Sequence, residues 1–225
     1  MGKRIISQRR GRGSPTYRAN SHRFKGRPEY KEGIPKVIDI INDPGRDPPL
    51  AKVKYENGEE GLLIAAEGIK VGDVLESGNG CVLPLSKIPV GTQIFGIETY
   101  PNSGPKLCRT AGSAAILLSK SEKECIIKLP SKKQKSLNPN CRATIGVPAG
   151  SGRNQKPWMK AGKKWIAMHA RGKLYPITKG VSMNSVSHPF GGGGTGKRRP
   201  PVSRFAPPGR KVGSVAARRT GKKKR

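Results

Sequence analysis

The sequence predicts a mainly β protein built from small closed barrels of short strands, with an extended basic arm at each end. Apolar residues make up 33% and aromatic residues 5% of 225 positions, too little material for one large core and better matched to small modules. The apolar residues fall in short runs broken by turn formers, and none keeps a three-to-four residue period over two or three turns, so helix is a minor component. Charge is segregated as well: 10 Lys or Arg face 13 Asp or Glu across residues 32–124, whereas residues 1–31 carry 10 basic side chains against Glu29 alone. Residues 125–225 carry 25 basic side chains and no carboxylate.

In chain order, residues 1–36 form the first basic arm. The stretch ISQRRGRGSPTYRANSHRFKGRP has no periodicity and little apolar content, so as an isolated peptide it is expected to be disordered and to order on a charged partner. From Val37 the texture changes. VIDII precedes the breaker cluster NDPGRDPP, and AKVKY and GLLIAA flank NGEE, a hairpin turn starting at Asn57 and Gly58. GDVLES, TQIFGIETY, SAAILLS and ECIIKLP add further extended runs. Closed barrels bury such strands without leaving edges. A boundary is placed near Leu118–Glu122, where the acidic residues cease, giving a first barrel over 37–118 and a second unit over 119–195. In that second unit KKWIAM and KLYPI are expected to close the barrel, and a glycine-rich loop follows. Residues 196–225 hold 12 basic side chains among Gly, Pro and Ala and read as the second arm.

A formal charge of +31 would repel itself in a free protein and implies a polyanionic partner. Arg9, Arg10, Arg12, Arg18 and Arg23 in the first arm, and Arg204, Arg210, Lys211, Arg218 and Arg219 in the last, are the candidate phosphate contacts. Arms rich in Gly and Pro follow an irregular surface, which favours folded RNA over regular duplex DNA. Among the aromatic residues, Trp165 and Tyr175 lie in apolar runs and are expected in the core. Phe24, Phe190 and Phe205 have basic or glycine-rich neighbours and are candidates for stacking on bases; Tyr17 lies in the first arm.

The stretch SMNSVSHPFGGGGTG places His188 beside Pro189, Phe190 and the glycines Gly191, Gly192, Gly193 and Gly194. Ordering four glycines costs much backbone entropy and adds nothing to a core, so RNA is expected to hold this loop. No acidic residue follows Glu124, which leaves His188 without an orienting carboxylate for general-base work. GGGGTGK fails the phosphate-loop pattern because Arg198 follows Lys197 and no apolar strand leads in. Cys81, Cys108, Cys125 and Cys141 contain no C-x-x-C pair, which argues against zinc and for free thiols. Neither a signal peptide nor a membrane span is visible, and a cytoplasmic location is expected.

Several ordered motifs resemble one family. SMNSVSHPFGGGG, PVSRFAPPGRKVG and ARRTGKKK, with GKRIISQRRGRGSPTYR, SHRFKG, KLCRTAGSAAILLS, NCRATIGVPAGSGRNQKP and KAGKKW, are similar to the universal large-subunit ribosomal protein number two, most closely its archaeal form. The resemblance covers nearly the whole chain. It implies an OB-like barrel followed by an SH3-like barrel, with both terminal extensions threaded through large-subunit rRNA. It implies RNA contacts at Arg109, Thr110, Ala111, Gly112, Arg142, Ala143, Thr144, Gly146 and Arg153. Met183, Asn184, Val186, His188 and Pro189, with the four glycines, match a loop approaching the peptidyl transferase centre.

The expected function is therefore structural: rRNA binding, support of that centre, and help in subunit association, with no enzyme activity. The implied partners are large-subunit rRNA, neighbouring ribosomal proteins and a small-subunit contact, with no membrane and no homo-oligomer. No cofactor is expected on protein side chains; magnesium near the glycine loop would be held by RNA oxygens. Ser187 stands where the family commonly has aspartate, and Phe190 where bacterial members have a second histidine. The competing readings are a free-standing chromatin or RNA-chaperone protein, and an enzyme using His188 or the cysteines.

Overall fold

The computed structural model describes residues 2–193, 202–207, 211 and 215–216, the side chain of Asn154 excepted. The chain divides into two compact units, Ser21–Met159 and a second made of Met1–Asn20 with Lys160–Arg225.

Within Ser21–Met159, strands β1 (Pro35–Ile41), β2 (Leu50–Tyr55) and β3 (Glu60–Ile64) form an antiparallel sheet in that order. The β2–β3 hairpin turns where the Asn-Gly pair predicts: Tyr55 N–H donates to the Glu59 carbonyl at 2.9 Å, and Asn57 Oδ1 accepts from Glu59 N–H at 3.0 Å. Alternation buries Val37, Val53, Tyr55 and Leu63; a bulge between Val37 and Asp39 shifts the β1–β2 register by one residue, and Ile38 and Ile40 are partly exposed.

Strands β4 (Val82–Pro84), β5 (Gln93–Phe95), β6 (Ala115–Lys120), β7 (Cys125–Lys128), β8 (Gln134–Leu137) and β9 (Arg142–Ile145) form a second antiparallel sheet, ordered β4-β9-β5-β6-β7-β8. Its core holds Leu85, Ile88, Ile94, Leu117, Cys125, Ile127 and Ala143. Phe95 of β5 packs with Leu50 of β2 and Ile64 of β3, so one apolar cluster joins both sheets.

The mainly β class is as expected. Closure is not: among the described residues no ladder joins β1 to β3 or β4 to β8, and both sheets are open. The boundary expected at 118 falls inside β6, whose neighbours lie on both sides of it in sequence. GDVLES supplies only an isolated bridge, Lys36 to Val74.

Among the described residues the second unit holds two short α-helices, α1 (Ile6–Gly11) and α2 (Ala161–Ala170). KKWIAM was expected as a strand and is instead the middle of α2. Ala161, Ala167 and Ala170, with Lys163, Lys164 and Met168, are strong helix formers and outweigh the strand-like Trp-Ile pair. KLYPI forms no strand either; it follows the helix end as irregular chain.

A candidate nucleic-acid interface

The basic side chains fall into two groups, those compensated by carboxylates within the fold and those left outward. Arg142 belongs to the first. Glu98, fully buried, accepts from Arg142 N–H at 2.9 Å through Oε2, from the Arg142 guanidinium at 3.1 Å through Oε1, and from Gly104 N–H at 3.0 Å. Burial opposes ionisation of Glu98, but the Arg142 and Gly104 N–H donors and the guanidinium outweigh it, and its carboxyl is held below the usual range.

Tyr30 closes the same cluster from the arm side. Its hydroxyl donates to the Gly96 carbonyl at 2.7 Å and so accepts from the Thr144 hydroxyl, also at 2.7 Å. The Arg142 guanidinium lies 5.6 Å from the Tyr30 ring centre. Burial pushes the Tyr30 phenol well up, so it stays a donor at any ordinary pH. Ala143 and Thr144 are buried, and their side chains serve packing and the Tyr30 bond.

Two further arginines are held the same way: Arg46 Nε lies 2.6 Å from the buried Asp43, and Arg153 2.8 Å from Asp47. Arg109 and Thr110 are exposed with Gly112 on a turn in which Ser113 Oγ donates to the Thr110 carbonyl at 2.6 Å. Ala111 is half-buried beside them, and Gly146 N–H donates to the Gln93 carbonyl at 2.8 Å. Arg23 is exposed; Phe24 is half-buried with its ring against Gly45.

In the second unit Arg9, Arg10 and Arg12 project from the end of α1, exposed. Arg18, also exposed, returns its Nε to the Gly13 carbonyl at 2.8 Å beside the half-buried Tyr17. Residues 2–8 run along the His188 loop: Lys3 N–H donates to the Val186 carbonyl at 2.7 Å, and Ile5 is buried. Lys3, Arg4, Gln8, Ser185 and His188 line a cleft of about 330 Å³ there.

The loop is closed by its own backbone. His188 N–H donates to the Asn184 carbonyl at 3.1 Å, Gly191 N–H to the His188 carbonyl at 2.8 Å, and Gly192 N–H to the Met183 carbonyl at 3.1 Å. A Cβ at Gly191 would collide with the Met183 and Asn184 carbonyls, and one at Gly180 with the His188 ring. His188 is buried, its Nδ1 accepts from Phe190 N–H at 3.0 Å, and the two rings meet edge to face at 5.4 Å. A neutral His188 therefore carries its proton on Nε2. Protein contacts thus set the loop's first glycine, where the sequence pointed to RNA alone. Val186 and Pro189 stay exposed.

Arg204 and Lys211 are exposed, and Phe205 is 89% exposed. Gly194, Arg210, Arg218 and Arg219 lie outside the described residues. Trp165, expected in the core, is half exposed, and Tyr175 is half-buried beneath the Lys164 ammonium at 4.9 Å. Sequence reasoning missed Tyr30, Glu98 and Gly180. Glu98 had a signal: it is the lone carboxylate between Glu76 and Glu122, set in the apolar run IFGIETY. Among the described residues no three His, Cys, Asp or Glu side chains group as metal ligands, and no helix is long and apolar enough to cross a membrane. The four thiols are free, and burial raises each of them.

A two-sheet β protein with compensated interior arginines and an outward, carboxylate-free cationic half is of the polyanion-binding class. Residues 2–77 match the family model described as Ribosomal Proteins L2, RNA binding N-terminal domain, and residues 78–210 match its C-terminal domain. The chain is 52% identical to the large ribosomal subunit protein uL2 of Methanothermobacter thermautotrophicus and 50% identical to that of Methanocaldococcus jannaschii, across the full length of both partners. It is 48% identical to the Methanococcus aeolicus protein over 99% of this chain. The chain belongs to the ribosomal protein L2 family.

Proposed function

We propose that this protein is a structural constituent of the large ribosomal subunit in the cytoplasm, binding rRNA and supporting the architecture around the peptidyl transferase centre. The observation that carries this reading is a half-chain of 25 basic side chains with no carboxylate, in a member of this family. The strands of Ser21–Met159 correspond to an OB-like and an SH3-like module, and the arms and the His188 loop are the rRNA-contacting segments. Neighbouring ribosomal proteins and the small subunit are its other partners. Residues with carboxylate partners, such as Arg142, act by shaping the surface, whereas Arg9, Arg10, Arg12 and Arg109 contact phosphates. Catalysis by the protein has no support in the site, since His188 has its Nδ1 occupied by a backbone donor.

Sedimentation of cell extract in magnesium gradients, before and after a high-salt wash, with the protein counted per large-subunit rRNA, tests the assignment. One copy retained per large subunit is expected; loss from the particle or enrichment on DNA would refute it. For the free protein, the affinity for rRNA is expected to fall by about 10³-fold or more between 50 and 200 mM salt, as for proteins making six to ten phosphate contacts. A salt-independent affinity would remove the phosphate-contact role of the arms.

A further inference from the structure

We infer that the outward face of α2 is a base-stacking platform, with Trp165 and His169 receiving an unpaired nucleobase of the bound RNA. This rests on the rRNA-binding reading and assigns a contact to a helix that the sequence placed in a barrel core.

Helix α2 buries none of its ten residues. The exposed positions Ala161, Gly162, Lys163, Trp165, Ile166 and His169 lie on one side of the helix, Lys163 at its edge, and the half-buried Lys164, Ala167 and Met168 lie on the other. The two largest apolar side chains therefore point away from the protein: Trp165 is 50% and Ile166 64% exposed. Such an arrangement is unfavourable for a helix with no partner and is expected of one that docks.

The side chains on the exposed arc are already ordered for stacking. The Trp165 and His169 rings, one helical turn apart, lie 5.0 Å between centres at 21° to each other. Two near-parallel rings extend one π surface along the helix, and a base laid on the indole continues the stack. Ala161 and Gly162 in the turn before it leave the approach uncluttered.

Charge complementarity selects the occupant. Lys163 is exposed on the helix, Lys160 and Lys173 are exposed beside its two ends, and no carboxylate lies anywhere in residues 125–225. A basic protein segment would meet repulsion, whereas a nucleic-acid strand supplies both base and phosphates. A stacking platform needs a base face that is open, so an unpaired nucleotide fits and a regular duplex does not.

The test uses the full chain carrying Trp158→Phe, which leaves Trp165 as the one indole. It is titrated with a short single-stranded adenosine oligomer, a regular RNA duplex and heparin, a polyanion without bases. Quenching of Trp165 emission by the oligomer alone is expected. Trp165→Ala should raise the oligomer Kd by about tenfold, Trp165→Phe by less than about threefold since a ring remains, and neither should change heparin affinity. Equal quenching by heparin, or an unchanged oligomer Kd in Trp165→Ala, would overturn the inference, as would quenching by the duplex to the same extent. The emission readout uses an intact α2, so it decides the matter even if the alanine variant misfolds. Failure of the Trp158→Phe protein to bind any of the three polyanions would instead refute the rRNA-binding reading.

Discussion

Replacing Glu98 by alanine is expected to cost the free protein about 3 kcal/mol or more of folding stability, the scale for breaking a buried ion pair from one side. The loss has three parts: the Arg142 guanidinium, on a side chain only 21% exposed, is left without its counter-charge, and the Arg142 and Gly104 N–H groups lose their acceptor. Glu98→Gln retains the shape and one acceptor oxygen, so its cost should be smaller. The pH dependence has a defined sign. A carboxyl held below its unfolded value of about 4.3 contributes fully above that pH and loses its contribution as pH falls through the folded value. Urea unfolding at neutral pH and in mild acid, followed by far-ultraviolet dichroism, measures both. The wild type should lose stability faster than Glu98→Gln on acidification; equal acid slopes, or a Glu98→Ala cost under about 1 kcal/mol, would show that the clamp is not a stabilising unit.

Gly191→Ala is expected to break the His188 loop while leaving the sheets of Ser21–Met159 intact. The added methyl meets two backbone carbonyls that are themselves engaged in closing the loop, and backbone yields less readily than a flexible side chain. An overpacking cost of about 1–3 kcal/mol confined to one loop lowers the closed-to-open ratio by about five- to 150-fold, at tenfold per 1.4 kcal/mol. Amide exchange of Gly191 and His188 should accelerate by that factor, and large-subunit particles reconstituted with the variant should form peptide bonds more slowly. His188→Ala should likewise perturb the particle more than the melting of the free protein. A variant whose exchange and particle activity match the wild type would show that the loop does not need this closure.

Much of the fold was legible because its determinants are local. The Asn57–Gly58 turn, the short extended runs that form β1, β6 and β7, and the halt of acidic residues at Glu124 each follow from neighbouring residues in sequence. Helix α2 was misread for the same reason: over six residues, KKWIAM carries no period long enough to distinguish a helix from a strand. The motifs SMNSVSHPFGGGG and NCRATIGVPAG pointed to the family, since so many ordered matches of unusual composition are specific. They could not divide the arginines into structural and outward ones.

That division depends on contacts far apart in the chain. Glu98 and Arg142 are 44 residues apart, and Tyr30 reaches Thr144 across 114. Composition and local pattern therefore establish the β class, the cationic first arm and second half, and the family, because propensity and charge act over a few residues. Which arginine is neutralised, which glycine lies against a carbonyl, and which tryptophan faces solvent were decided by packing, because burial and ion pairing exist only once distant strands have met.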